Sequence, residues 1–517
     1  MIYVYITNEL KSFEAYIRDL CLAFFSFRKI TYIHECVSDE LICFNNREPL
    51  ISDIVVKDFF SGKLVGERIK VKSEIKRQLY NYLKKITGKK LLWGTLTGIR
   101  PVTIVTNLVE NFLNDKKIIN DIENKHKTIF GYEPLRSPYD VAKKNPYFYA
   151  SNVLKEDYYV SDSKINELLT IAHNELEVLE RKEIKDYKKS YSIYIGVPFC
   201  KSTCLYCSFT SFNIDKYSEY VSKYLNKLED ELKINNNNTP LTLYIGGGTP
   251  TSLSNEDFEK MLSIVDKYII KINLIEYTVE AGRPDTITKE KLMSMKKHGV
   301  TRISINPQSM NQKTLDLIGR KHKVEDVKEK FYLARNLGFD NINMDIILGL
   351  PNEHLFDVLK TLNEIRKLKP DSLTIHSLAL KRAARLNYEF ENWTKNYYLA
   401  GLENERRINN NKGILQEGKR EIDKMFYFSS KLAYLLSLKP YYLYRQKNIA
   451  GNLENVGYAK DGKECIYNIM MMSERHSVYG FGTATTKEVF YEKNEDGSIN
   501  KRIESKEGYK SVIDYCR

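Results

Sequence analysis

Tyr194-Ile-Gly-Val-Pro-Phe-Cys200-Lys-Ser-Thr-Cys204-Leu-Tyr-Cys207-Ser-Phe209 is the stretch on which the reading of this chain turns. Its cysteines stand at C-x3-C-x2-C, directly after an apolar run that reads as a buried strand. Thiolates are the usual ligands of iron–sulfur clusters. A cubane cluster has four irons and this loop supplies three sulfurs, so one iron is left open to a ligand that is not protein. Structural zinc also uses cysteine clusters, but it needs a fourth ligand nearby. No His or Cys follows Cys207 until His298. The spacing therefore favours a [4Fe-4S] cluster over zinc.

Outward from this loop the pattern is a repeated strand–helix alternation. Strands are expected at Ser192–Val197, Leu241–Ile245, Tyr277–Glu280, Arg302–Asn306, Ile342–Leu348 and Ser372–Leu378. Amphipathic helices lie between them, with a capping-box match at Ser254-Asn-Glu-Asp257 and glycines at helix ends (Gly299, Gly338). Near-continuous apolar strands separated by helices imply a parallel sheet with right-handed crossovers. Roughly six such units suit a partial (β/α) barrel, whose ligands sit at the carboxyl ends of the strands. The chemistry-bearing residues gather at those ends. Gly246-Gly-Gly-Thr-Pro250 follows the second strand, where glycines let backbone approach a ligand closely. Glu280 ends the third strand and suits the ammonium of a bound amino acid. Gln308 lies past the fourth strand and Asp345 within the fifth, and both suit ribose hydroxyls or an amino group. Arg320 suits a two-pronged clamp on a carboxylate. Each alone is more often an ion-paired surface residue; a shared rim makes them a candidate site.

The three-cysteine loop with an aromatic at Tyr206 resembles the radical S-adenosylmethionine (SAM) superfamily, in which the methionyl amino and carboxylate groups of SAM occupy the open iron. Tyr194-x-x-x-Pro-Phe-Cys200 and Gly246-Gly-Gly-Thr-Pro-Thr251 narrow the resemblance to the oxygen-independent coproporphyrinogen III oxidase family. Within it, Leu92-Trp-Gly-Thr-Leu-Thr-Gly-Ile-Arg-Pro101, Thr278-Val-Glu-Ala-Gly-Arg-Pro-Asp285 and Tyr442-Leu-Tyr-Arg-Gln-Lys-Asn-Ile-Ala-Gly451 resemble the HemZ-type branch. The resemblance covers almost the whole chain. It implies cluster ligation by Cys200, Cys204 and Cys207, and contacts from Tyr194, Gly247 and Glu280 to the cluster-bound SAM. It further implies contacts from Tyr206, Gly248, Thr249, Gln308, Arg320 and Asp345 to a second SAM. The implied reaction is cleavage of SAM to a 5′-deoxyadenosyl radical, hydrogen abstraction from coproporphyrinogen III propionates and their decarboxylation to the vinyls of protoporphyrinogen IX. The implied partners are a tetrapyrrole substrate or heme and a low-potential electron donor such as flavodoxin or ferredoxin. The family spacing is kept apart from about one extra residue in Ala281–Asp285. Phe209 stands where the oxidase branch has a fourth cysteine, and the family's heme-chaperone branch has an aromatic there too. No obvious counterpart of the chaperone's His-Asn carboxy-terminal motif is seen. A heme-binding chaperone and a radical enzyme on another tetrapyrrole remain as alternatives.

At 517 residues the chain exceeds one ordinary core. The expected division is a small α/β domain over 1–90, a helical linker region over 91–189, the radical SAM partial (β/α)6 barrel over 190–385, and a mainly helical, substrate-covering domain over 386–517. In the first domain, strands are expected at Ile2–Ile6 and Lys29–Ile33, a helix around Leu10–Phe25, and short extended pieces at Ile54–Phe60 and Arg68–Val71. A helix over Ser73–Lys85 precedes Trp93–Pro101, which suits either a functional loop or an elbow packed under Trp93. Beyond the barrel, Tyr427–Leu438 reads as a helix and Gly480–Thr486 as a glycine-rich turn. Lys439–Lys447 interleaves tyrosines with cations; that suits a flat macrocycle, single-stranded RNA, or a plain packing seam. Glu492–Ile499 reads as a hairpin turn. Eight cysteines make no disulfide framework, and Cys21, Cys36, Cys43, Cys465 and Cys516 read as free thiols. Lys and Arg number 80 against 67 Asp and Glu, a net charge of +13, but the lysines are mixed with glutamates along the chain. Such mixing reads as solvated faces, so nucleic acid is not the expected partner. With no apolar run near the roughly 20 residues of a membrane span and no signal-peptide pattern at the start, the expected location is cytoplasmic.

Overall fold

The computed structural model describes residues 2–25, 30–34, 54–56, 59–61, 68–98, 100–114, 145–209, 211–234, 239–381, 384–386, 421–446, 449, 452–493 and 499–517. Cys36, Cys43 and the tip of the expected Glu492–Ile499 turn lie outside them, as do Lys447, Asn448, Ala450 and Gly451 of the third branch segment. The chain divides into two compact units, Met1–Thr170 and Ile171–Arg517.

In the first unit, strand β1 (Ile2–Ile6) lies between β2 (Ile30–His34) and β3 (Ile54–Val56), parallel to both. Alternation along β1 buries Ile2, Val4 and Ile6 with Ile17, Leu20 and Phe24 of the helix Glu14–Phe24. The helix Arg68–Thr87 completes this core, and it corrects the extended piece expected at Arg68–Val71. Val71, Ile75, Leu79 and Leu83 recur every four residues and are all buried, so Val71 belongs to the helix's apolar face. Trp93 is 1% exposed in a turn whose neighbours bond to the 158–161 backbone: Thr95 N–H donates to Tyr158 O at 2.8 Å and Ser161 N–H to Leu92 O at 2.9 Å. Of the two roles open for this segment, the packed elbow matches that geometry. The helix Pro101–Asn114 follows, with proline at its first position.

The second unit is built on β4 (Tyr191–Val197), which leads into the short strands β5 (Phe199–Cys200) and β6 (Phe212–Asn213) of the cysteine loop. Then come β7 (Thr242–Gly247), β8 (Glu276–Gly282), β9 (Arg302–Ile305), β10 (Ile342–Leu348) and β11 (Ser372–Ser377), at or within two residues of the expected places. These six long strands run parallel in the order β11-β10-β9-β8-β7-β4, with helices between successive members. This is the expected partial (β/α)6 barrel. Ser254 caps the helix Asn255–Tyr268 as its sequence predicts, accepting from Asp257 N–H at 3.0 Å.

Past residue 386 the sequence predicts mainly helix with a few strands. The described residues there hold three helices (Glu421–Leu435, Ile466–Ser473, Val512–Tyr515) and five strands: β12 (Lys439–Tyr444), β13 (Asn455–Ala459), β14 (Ser477–Gly482), β15 (Thr486–Lys493) and β16 (Ile499–Lys506). The reason is the open barrel, which leaves two sheet edges with unpaired backbone groups. β13 pairs antiparallel with β11 and β12 with β13, while β14 pairs parallel with β4 and carries the β15–β16 hairpin. Gly480-Phe-Gly482 is thus strand rather than turn, in register with Tyr194–Gly196. Among the described residues no helix is long and apolar enough to cross a membrane.

Candidate active site: the cysteine-loop end of the barrel

A cavity of about 520 Å³ opens at the carboxyl ends of the barrel strands. Cys200, Cys204, Cys207, Tyr194, Tyr206, Gly247, Gly248, Thr249, Glu280, Gln308, Arg320 and Asp345 all line it. The topology thus brings together every candidate that the sequence singles out. On one side is the cysteine loop, where Cys200 and Cys204 are buried and Cys207 half-buried. It is docked by backbone: Leu205 N–H donates to Ile318 O at 3.0 Å and Leu386 N–H to Leu205 O at 2.9 Å. Cys200 Sγ lies 3.2 Å from Thr249 Oγ1 and 3.2 Å from Ser202 O. Burial pushes the Cys207 thiol up to about 11, and the neighbouring Cys204 and Cys200 add to the rise. Such a thiol ionises when a metal compensates its charge. Among the described residues no three His, Cys, Asp or Glu side chains gather tightly enough to hold a single metal ion. A cluster makes a different demand, since its thiolates bind separate irons. The donor set, three thiols along one loop beside an open cavity, fits a cluster.

The glycine turn after β7 is shaped by close backbone approach. Gly247 has φ +109°, and a Cβ there would lie 2.9 Å from Val197 O; one on Gly248 would lie 2.4 Å from Phe199 O. Only glycine fits, and the backbone stays bare toward the cavity. Glu280 faces this turn. Burial pushes its carboxyl up to about 7; the Tyr244 hydroxyl, donating at 2.6 Å, pulls the other way, and Asp345 adds to the rise. Tyr244 stacks with Tyr194 at 5.7 Å between ring centres and packs 4.5 Å from Tyr467.

The end of β9 and the segment just after it present Ser304, Asn306 and Gln308 to the cavity. Ser304 Oγ, Asn306 Oδ1 and Gln308 Oε1 are buried with no hydrogen-bond partner. Native proteins rarely leave three such atoms side by side, which makes the row a candidate surface for a polar ligand. Gln308 is held at φ +65° by two bonds to β10, from its N–H to Asp345 O and from Ile347 N–H to its own carbonyl, both 2.9 Å. Asp345 accepts from Asn343 Nδ2 at 2.7 Å and lies 3.8 Å from His376 Nε2. Burial opposes its ionisation, but His376 and Asn343 outweigh burial and hold it below its usual range.

Arg320 lines the cavity with part of its guanidinium engaged by backbone. Its two terminal nitrogens donate to Asn306 O at 2.9 Å and Gly282 O at 3.2 Å, so the fork grips the barrel rim and only Nε stays unpartnered. Its Nε–H and the second N–H of each terminal nitrogen remain for a ligand carboxylate.

Other lining residues carried no individual role in the sequence: Tyr244, His376, Arg302 and Tyr467. Tyr467 arrives from the helix Ile466–Ser473, whose first amides donate to the buried Glu276 carboxylate, Ile466 N–H at 2.6 Å and Tyr467 N–H at 3.4 Å. No local signal announces this. Tyr442 and Tyr444, in contrast, belong to the segment flagged for its tyrosines. They stack nearly parallel (4°) at 6.3 Å, with the Tyr444 hydroxyl 3.2 Å from His376 Nδ1. Phe209 stands at the rim, 65% exposed, with Lys381 Nζ 5.4 Å from its ring centre.

Comparison with known proteins agrees with this geometry. Residues 194–365 match the model of the Radical SAM superfamily, which implies a [4Fe-4S] cluster and SAM. The chain is 36% identical over 436 residues to the oxygen-independent coproporphyrinogen-III oxidase-like protein HemZ of Bacillus subtilis, covering 82% of this chain and 75% of that protein. It is 38% identical over 195 residues to the heme chaperone HemW of the same organism, covering 37% of this chain and 51% of HemW. Among solved structures, the coproporphyrinogen III oxidase HemN of Escherichia coli is similar with a TM-score of 0.43 and 16% identity, over 67% of this chain and 76% of that one.

Proposed function

This chain belongs to the radical SAM superfamily and, within it, to the HemZ-type branch of the oxygen-independent coproporphyrinogen III oxidase family, and we propose that it decarboxylates the propionate side chains of coproporphyrinogen III to vinyls. The observation that carries this reading is the single cavity shared by the cysteine loop, the unpartnered polar row of β9 and a wall of tyrosines. When bound, a reduced cluster with SAM would supply the hydrogen-abstracting 5′-deoxyadenosyl radical, and the overall change from propionate to vinyl would release carbon dioxide and one further electron to an acceptor.

Cys200, Cys204 and Cys207 would hold the cluster. Glu280 suits the N–H groups of the SAM amino group, with Tyr244 fixing its orientation, and the bare backbone of Gly247 and Gly248 accepts close approach. The β9 row and Asp345 suit hydroxyls and amines, and Tyr194, Tyr206 and Thr249 close the same wall. Tyr442, Tyr444 and Tyr467 offer faces to a flat macrocycle, while Arg302 and Lys381 supply cations for its carboxylate arms. A low-potential flavodoxin or ferredoxin would deliver the electron. The experiment is anaerobic turnover of reconstituted protein with dithionite, SAM and coproporphyrinogen III. Protoporphyrinogen with 5′-deoxyadenosine is the expected result; SAM cleavage with untouched coproporphyrinogen keeps the radical enzyme and discards the substrate.

Exposed Phe209 favours a second reading. It leaves the rim without the oxidase branch's fourth cysteine and gives an open aromatic face beside the cavity, as suits heme capture. Stoichiometric heme binding, with no SAM cleavage despite an intact cluster, would select that chaperone role.

A further inference from the structure

β8 and β9 pair in register as far as Glu280↔Ser304, and then the register slips, so that Gly282 rather than Ala281 stands opposite Ile305. Bulges of this kind re-aim the side chains that follow them. Here Gly282 takes φ +56°, and Arg283, 2% exposed, points at the cysteine loop. Its Nη1 donates to Ser202 Oγ at 2.7 Å and to Ser202 O at 3.1 Å, midway between Cys200 and Cys204. Its Nε and Nη2 donate to the two Asp285 oxygens at 3.1 and 3.0 Å, a fork-to-fork pairing that fixes the guanidinium plane. Ser202 Oγ in turn lies 3.2 Å from Gly319 O. No other cation among the described residues is both buried and bonded to the C-x3 spacer, and the Coulomb fields of Cys200 and Cys204 both reach it.

We propose that Arg283, oriented by Asp285, is a positioning residue for the cluster: it fixes the Cys200–Cys204 spacer through Ser202 and sets a positive charge behind the sulfurs. The inference rests on the reading of this loop as a cluster site. Reduction adds negative charge to a cluster, and net charge nearby is among the factors that set its potential. Removing the cation disfavours the reduced form and moves the potential more negative. Loosening the spacer speeds cluster loss.

The test compares full-length wild type, Arg283→Gln, Arg283→Lys and Ser202→Ala after anaerobic reconstitution. Read are iron and sulfide per chain, the rate of bleaching by a chelator, and the midpoint potential by EPR-monitored titration. Arg283→Gln should bleach about 10-fold or more faster and titrate at a more negative potential, on the scale of partners that orient metal ligands. Arg283→Lys, keeping the charge without the fork, should bleach fast yet keep its potential near wild type. Ser202→Ala leaves the ion pair intact and should bleach moderately faster, which preserves the test if Arg283→Gln does not fold. Wild-type bleaching and potential in both Arg283→Gln and Ser202→Ala would overturn the inference while leaving the cluster reading standing. A wild type that takes up no iron and sulfide would overturn both.

Discussion

The two units of this chain use burial for different ends. The first buries what folding alone requires: Ile2, Val4, Ile6, Ile17, Leu79 and Leu83 around a three-stranded sheet, with Lys164 the one buried charged residue among its described positions. The second buries Glu276, Arg283, Arg302, Arg320 and Glu353, and lets a carboxylate such as Glu280 sit where burial raises its pKa to about 7. Taking charges out of water is costly unless partners compensate. Where compensation is complete, as between Glu276 and the amides of Ile466 and Tyr467, the charge builds structure. Where it is incomplete, as at Glu280 and along the β9 row, the deficit points to a ligand.

The sharpest way to break this comparison is to remove one buried thiol from each unit. Cys204→Ala should abolish cluster assembly and SAM cleavage, whereas Cys21→Ala should leave iron content at the wild-type level and cost only packing stability. Loss of iron in both, by colorimetric assay, would end the division of roles. A smaller effect is expected at Glu280. Its raised pKa means that the folded empty site holds a proton which the unfolded chain gives up near its ordinary 4.5, so its contribution to stability is full below about 4.5 and is lost as pH rises toward about 7. Glu280→Gln should therefore raise the stability of the empty protein by about 2–3 kcal/mol at pH 8 and change little near pH 4.5. In wild type, SAM affinity measured by calorimetry should rise as pH passes through about 7 and Glu280 ionises; the variant should bind more weakly and lack that component of the rise. A Glu280→Gln protein no more stable than wild type at high pH would remove the idea that this burial is a functional cost. The smallest effect belongs to Phe209. Being 65% exposed, Phe209→Ala should shift stability by no more than about 0.5 kcal/mol and leave cluster content intact, so any change in heme or tetrapyrrole affinity by absorbance titration isolates the rim aromatic from the core beneath it.

The six barrel strands were legible because each is a short apolar-rich stretch set between segments of helical period, the alternation a parallel sheet requires. The cysteine spacing, the glycine turn and Glu280 were legible for a related reason: their positions relative to strand ends are local facts of the chain, and parallel topology alone carries those ends to one rim. Arg68–Val71 misread as extended because four residues are too few to tell a helix's first turn from a strand. β12–β16 were under-read because their partners are barrel edges distant in the chain or one another, and their short runs do not by themselves announce that pairing. Arg320 shows the same limit at a single side chain. The sequence placed a guanidinium at the rim, but which acceptors it meets, Asn306 O and Gly282 O, depends on how two separate loops pack. Tyr467, His376 and Arg283 reach the cavity through a buried carboxylate, a fifth-to-sixth-strand neighbour relation and a register slip. The sequence by itself determined the barrel and the chemistry at its mouth, since short-range patterning encodes both. Only the tertiary structure decided which side chains complete that mouth, because long-range contacts between loops and edges leave no periodic trace in the chain.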